Sequence, residues 1–155
     1  MFENMKGQTL IEVLAALSIL AIIATSMGAV VVSSLNSAQF AKNETLATKY
    51  AQEGMEAIRR LRNDNYAQFK TYSGIYCLSS IPAVLVDRPP VCSTPNVANF
   101  IRTVEIEQSP GCGVNAAKVV VMVSWSDGKC AASSPYCHTE SNNSCLSTLN
   151  PLRSP

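Results

Sequence analysis

The feature that most constrains this chain is a long run without charge. From Val13 to Ala41 there is no Asp, Glu, Lys or Arg, and Leu, Ile, Val, Ala and Met dominate. A helix needs roughly 20 apolar residues to cross the hydrocarbon of a bilayer, so the run is long enough to span one. Just before it stands Lys6-Gly7-Gln8-Thr9-Leu10-Ile11-Glu12. Glu12 is the anomaly, because at mid-depth an acid costs about 2.5–3.5 kcal/mol by insertion scales and ordinarily has a partner or a task. The bland alternative places Glu12 at the headgroup boundary with no task at all. A cleaved secretory signal would also begin with an apolar run. Here the preceding stretch is short, the run exceeds a typical signal core and no good A-x-A site follows, so a retained anchor is the better reading. Lys6 on the short side weakly signals that this end stays cytoplasmic.

Gly7-Gln8-Thr9-Leu10-Ile11-Glu12 followed by an apolar helix resembles the N-terminal processing motif of type IV pilins and type II secretion pseudopilins. The resemblance implies that a prepilin peptidase cuts after Gly7 at the cytoplasmic face. It implies that the freed Gln8 amine is methylated and that Glu12 acts in assembly. The family usually has Phe or Met where this chain has Gln8. The physical chemistry agrees. Glycine offers a protease pocket no side chain and an adaptable backbone. A freed amine is a cation near neutral pH. In a packed bundle of helices, Glu12 of one subunit can pair with the Gln8 amine of a neighbour. An unpaired acid there is the costly alternative, so the pair favours one axial register.

Outside the first 41 residues, which hold only Glu3, Lys6 and Glu12, the chain carries eleven Lys/Arg and nine Asp/Glu. That is an ordinary soluble surface, and the net charge of +1 gives no global pull toward nucleic acid. The expected organisation is an apolar rod on a polar body of about 95 residues, a size that buries a limited core and often needs cross-links. Six cysteines, Cys77, Cys92, Cys112, Cys130, Cys137 and Cys145, all follow the anchor. An even number confined to the exported part reads as disulfides, with 15 possible pairings.

Along the chain, residues 1–7 read as a leader, 8–35 as the membrane or filament-core half of a helix, 36–63 as its amphipathic half and 64–155 as an exported head. Gly28 lies inside the helix as a close-contact position or a weak point. From Ala38 through Ala41, Ala47, Tyr50, Ala51, Met55 (or Gly54), Ile58 and Leu61, apolar residues recur at helical steps. Glu56 and Arg60 form an i,i+4 acid-to-base pair, and Asn63-Asp64-Asn65 reads as a stop. A helix of roughly 50 residues follows, about 75–80 Å long. The segment Ala47–Arg59 also looks like the corresponding stretch of many bacterial pilin-like proteins. Asn65–Asn96, with Pro82, Pro89, Pro90 and Pro95, reads as irregular.

Two strands are expected at Phe100–Glu107 and Ala117–Trp125, with Phe100, Val104 and Ile106 on one face of the first and Val119, Val121, Val123 and Trp125 on one face of the second. Ser109–Gly113 is a turn between them, and a third strand is plausible at Cys145–Leu149. The Val-rich strand ending in Ser-Trp-Ser-Asp-Gly is similar to minor pilins of the PilV or pseudopilin sort. The fold class is therefore α+β, type IV pilin-like, with a long N-terminal helix on a small antiparallel sheet. Cys112 and Cys130 lie beyond opposite ends of a strand about 27–30 Å long. A bridge needs Cα atoms within about 7 Å, which argues against that pairing. Cys130, Cys137 and Cys145 are expected to crowd one end, two of them paired, with Cys77–Cys92 as a second bridge.

His138 is the one histidine. With Cys130, Cys137 and Cys145 it suggests zinc, but the spacing lacks a C-x₂-C knuckle and exported cysteines tend to be oxidised, so no metal is expected. A Cys–His nucleophile needs a positioned thiolate and an orienting third group. Walker, Rossmann, HExxH and G-x-S-x-G patterns are absent, and Asp127-Gly128 is a turn rather than a calcium loop. Arg59, Arg60 and Arg62 read as a helix-end charge cluster rather than a DNA contact. Trp125 reads as core.

The resulting expectation is a structural, minor fibre subunit with no catalytic site and no cofactor. Its partners would be prepilin peptidase, other pilin or pseudopilin subunits, an inner-membrane assembly platform and membrane lipid before assembly. It would sit in the bacterial inner membrane with the head outside, then in a pilus or pseudopilus. The alternatives are a competence-type pilin engaged in DNA uptake and, from another class, a membrane-anchored exported enzyme or metal-binding domain.

Overall fold

The computed structural model describes residues 6–79, 85–87, 92, 95–108 and 111–149. Met1–Met5 of the expected leader, Pro82, Pro89 and Pro90 of the stretch expected to be irregular, and Ser109-Pro110 of the expected turn lie outside the described residues. The chain divides into two units, Met1–Ala41 and Lys42–Pro155.

In the first unit the chain is helix from Lys6 onward, part of α1 (Lys6–Asp64). Every residue from Thr9 to Ala41 is exposed, and the large apolar side chains from Leu10 to Leu35 show on all sides. Three hydroxyls inside this stretch bond to their own helix. Ser18 Oγ donates to the Ala15 carbonyl, Thr25 Oγ1 to those of Ala21 and Ile22, and Ser26 Oγ to that of Ile23. Such back-bonding satisfies hydroxyls where no water is at hand. Gly28 does not interrupt the helix.

The second unit packs the remainder of α1 on a sheet. Ala47, Ala51, Gly54, Met55 and Ile58 are buried at steps of three and four, with Tyr50 and Leu61 packed against the same core. This is one stripe at helical period. The expected stripe began at Ala38, but Ala38 and Ala41 are exposed and burial starts at Ala47. The helix ends at Asp64, where Asn65 caps a short α2 (Tyr66–Phe69) by accepting a hydrogen bond from the Gln68 amide. The expected Glu56–Arg60 pair gives way to Glu56–Arg59, an i,i+3 contact on the same exposed surface.

The sheet has five antiparallel strands in the order β2-β1-β3-β4-β5. They are β1 (Gly74–Leu78), β2 (Leu85–Asp87), β3 (Ile101–Gln108), β4 (Ala116–Trp125) and β5 (His138–Ser147). Two of these, and α2, fall in the stretch expected to be irregular. β4 alternates cleanly, with Ala117, Val119, Val121, Val123 and Trp125 buried. β3 does the same through Val104 and Ile106, preceded by buried Phe100.

β5 corrects the sequence expectation most. The sequence predicts a third strand at Cys145–Leu149, yet β5 begins at His138 and pairs with β4 from Trp125↔His138 to Ala116↔Ser147. Its sequence, His-Thr-Glu-Ser-Asn-Asn-Ser-Cys-Leu-Ser, has almost no apolar alternation. As an edge strand it is held by main-chain pairing to β4, which does not require an apolar face. The consequence for the cysteines is direct. Cys145 does not join Cys130 and Cys137, because β5 carries it back along β4 to pair opposite Lys118. There it bridges to Cys112. The other two bridges are Cys77–Cys92 and Cys130–Cys137.

Two residues fix how α1 sits on the sheet. A Cβ on Gly54 would lie 2.9 Å from Val121 Cγ1, 3.1 Å from Arg102 Cδ and 3.2 Å from Leu78 Cδ2, so the helix reaches this close to β4 only without a side chain. Arg102, only 1% exposed, points into the same interface. Its guanidinium donates to the carbonyls of Leu78 (3.2 Å), Tyr50 (3.1 Å) and Ser79 (2.6 Å) and lies 3.7 Å from Glu53. Burial lowers its pKa from the ordinary guanidinium value, and Glu53 partly offsets this.

Candidate functional site

The residues singled out from the sequence, Gly7, Gln8 and Glu12, all fall in the first turns of α1. Helix formation there follows from the absence of proline and of any glycine between Gly7 and Gly28, with Leu, Ala, Gln and Glu outweighing the β-branched Thr9, Ile11 and Val13. Glu12 is exposed, and its neighbours Leu10, Ile11, Val13 and Leu14 are 57–71% exposed. An acid set among such side chains has two chemical options. It remains in a watery boundary layer, or it meets a cation supplied from outside the chain.

A second constellation lies in the loop between β4 and β5. Asp127, Cys130, Cys137 and His138 place one potential ligand atom each within 4.8 Å of all the others. His138 Nε2 is 3.1 Å from Asp127 Oδ2. Asp127 Oδ1 accepts from the Lys129 amide at 2.9 Å, and this bond, with help from His138, holds the Asp127 carboxyl below its ordinary value. The His138 ring stacks on Trp125 with centroids 5.5 Å apart. Trp125 continues an aromatic series through Phe100 to Tyr50 on α1. With Cys130 and Cys137 bridged, the sulfurs are not thiolates, so this state offers a cation at most Asp127 and His138. The sequence grouping of Cys145 with His138 does not survive, since Cys145 belongs to the other bridge. Asp127 was the ligand-type residue missed. In the sequence Asp127-Gly128 reads as a turn, although its place two residues past a strand end sets Asp127 opposite the start of the next strand.

In the basic cluster, Arg59 contacts Glu56 and Arg62 donates to Asn63, so both cations engage neighbours on their own element.

Residues 4–28 match the family model described as the prokaryotic N-terminal methylation motif. The chain carries a prepilin-type N-terminal methylation motif. The motif is consistent with the type IV pilin and pseudopilin family, and it covers Gly7, Gln8 and Glu12. No curated protein and no solved structure matches the chain. The prepilin-type motif implies processing by prepilin peptidase and assembly with other pilin subunits. The apolar helix behind it is long and apolar enough to cross a membrane, and the head is α+β and pilin-like with three disulfides.

Proposed function

We propose that this protein is a minor structural subunit of a type IV pilus or secretion pseudopilus. Prepilin peptidase cuts after Gly7, Gln8 becomes the methylated N-terminus, and the helix holds the subunit in the cytoplasmic membrane until it enters a fibre. The head stays outside that membrane, consistent with its three bridges. The chain has no catalytic task in this reading, and the assembly machinery performs the work.

The observation that carries the proposal is a prepilin-type motif at the head of a helical stretch, from Thr9 to Ala41, in which every apolar residue is exposed. Such a surface is stable only in lipid or against other helices. Glu12 then pairs with the Gln8 amine of a neighbouring subunit and selects the axial register. The test is N-terminal mass spectrometry of the chain expressed with and without a prepilin peptidase. Loss of Met1–Gly7 only with the peptidase present is expected. An intact N-terminus in both samples would overturn the proposal.

A further inference from the structure

We propose that the β4–β5 loop is a zinc-type metal site when the Cys130–Cys137 bridge is open, so that a metal ion and a disulfide are alternative closures of the same loop. This is independent of the fibre role and rests on the head alone.

The donor set is the argument. Two sulfurs, one imidazole and one carboxylate converge from three short segments, with their ligand atoms within 4.8 Å of one another. Zinc takes these donor types in four-coordinate tetrahedral sites. Two thiolates at about 2.3 Å from a shared zinc lie about 3.8 Å apart, so the sulfurs separate by less than 2 Å from bonded contact. Asp127 already faces both neighbours, with Oδ2 toward His138 and Oδ1 3.8 Å from Cys130 Sγ. The frame is built independently of the bridge. The Trp125↔His138 register closes the two strands, the stack on Trp125 orients the imidazole, and the Lys129 amide holds the carboxylate. The Cys137 amide donates to Cys130 Sγ at 3.2 Å, the kind of main-chain bond that supports a metal-bound thiolate.

The chemistry balances with a dithiol reductant. Two electrons and two protons pass to the Cys130–Cys137 bond, which breaks to two thiols as the reductant closes to its own disulfide. On metal binding each thiol releases its proton to water, the carboxylate and imidazole donate lone pairs, and the two charges of the ion offset those of the two thiolates, so the net charge of the site is unchanged. Cys137 is exposed and Cys130 half-buried, so a small reductant reaches them; Cys92 of the Cys77–Cys92 bridge is 7% exposed, while Cys145 and Cys112 are as accessible as the loop pair, so mass mapping selects the singly opened species. The loop is therefore held shut under both oxidising and reducing conditions, by sulfur in one and by metal in the other.

The test uses the full chain in detergent, treated anaerobically with limiting phosphine until mass mapping shows Cys130–Cys137 open and the other two bridges closed. Cobalt(II) is then titrated as the probe. The expected result is one equivalent bound, with intense visible d–d bands of tetrahedral geometry and near-ultraviolet thiolate charge-transfer bands. Cys130→Ser/Cys137→Ser, folded on its two remaining bridges, should lose both sets of bands. Asp127→Ala and His138→Ala should each weaken binding by about tenfold or more, at least the size of outer-shell losses at metal sites. As a second readout, one equivalent of zinc should slow reclosure of Cys130–Cys137 by an oxidant, and less so in His138→Ala. Absence of tetrahedral bands in the wild-type chain, or wild-type affinity in both Asp127→Ala and His138→Ala, would overturn the proposal. So would reclosure at the same rate with and without zinc.

Discussion

The two stretches of α1 have the same backbone and opposite surroundings. From Thr9 to Ala41 every residue is exposed, whereas from Ala47 to Ile58 one stripe is buried to 0–2%. The difference lies in where the apolar residues sit. In the first stretch they occupy every face, so no single protein surface can cover them, and only lipid or several neighbouring helices can. In the second they form one stripe, which one sheet covers. One continuous helix thus carries two kinds of stability, one local to the head and one that must come from outside the chain.

The comparison breaks most visibly at Arg102. Arg102→Ala strands the carbonyls of Leu78 and Ser79 in the interface beneath α1 and removes the partner of Glu53. Denaturant unfolding of the head should show a loss of about 3–5 kcal/mol, the usual result of breaking a buried charged network. Next come the bridges. Replacing Cys112 and Cys145 by Ser releases a loop of 33 residues and should cost about 3.7 kcal/mol, while the same change at Cys130 and Cys137, seven apart, should cost about 2.4. Unfolding midpoints of the two double variants under non-reducing conditions test the order, and the reverse order would show that strain rather than loop closure governs.

Smaller still is Gly54→Ala. Helix propensity gains up to about 1 kcal/mol, but overpacking against Val121 costs about 1–3, for a net loss near 1. A stabilised variant would mean that α1 can lift off β4 without penalty. Acid titration touches the loop beyond the sheet. The Asp127 carboxyl is lowered from 3.8, so its contribution is fully present above that value and is lost as pH falls through the lower folded value. Unfolding midpoints of wild type and Asp127→Asn should converge as pH drops below about 4, and a constant gap would contradict this. The smallest effect sharpens the contrast. Leu17→Ala and Glu12→Gln lie where nothing is buried, and each should leave head unfolding within about 0.5 kcal/mol of wild type.

Much of this was legible in residue order. The helix stop before Asn65, the inward faces of β3 and β4 and the bridging of the cysteines follow from period, turn chemistry and compartment. Arg102 was legible in principle, since it shares the parity of Phe100 and Val104, but a charge at an inward position reads as an interruption until its carbonyl partners are known. β5 was not legible, because an edge strand held by main-chain bonds need not alternate. The error then passed to Cys145, whose partner depends on how far β5 runs back along β4.

The sequence by itself determined the prepilin-type segment and the apolar helix behind it, because a charge-free run and a short motif act through local composition, whatever the rest of the chain does. Only the tertiary structure decided which cysteines meet, why Gly54 lies against Val121, where Arg102 finds its acceptors, and that Asp127 faces His138. Those are contacts between residues far apart in the chain. Strand register sets them, and register is a property of paired strands rather than of either one alone.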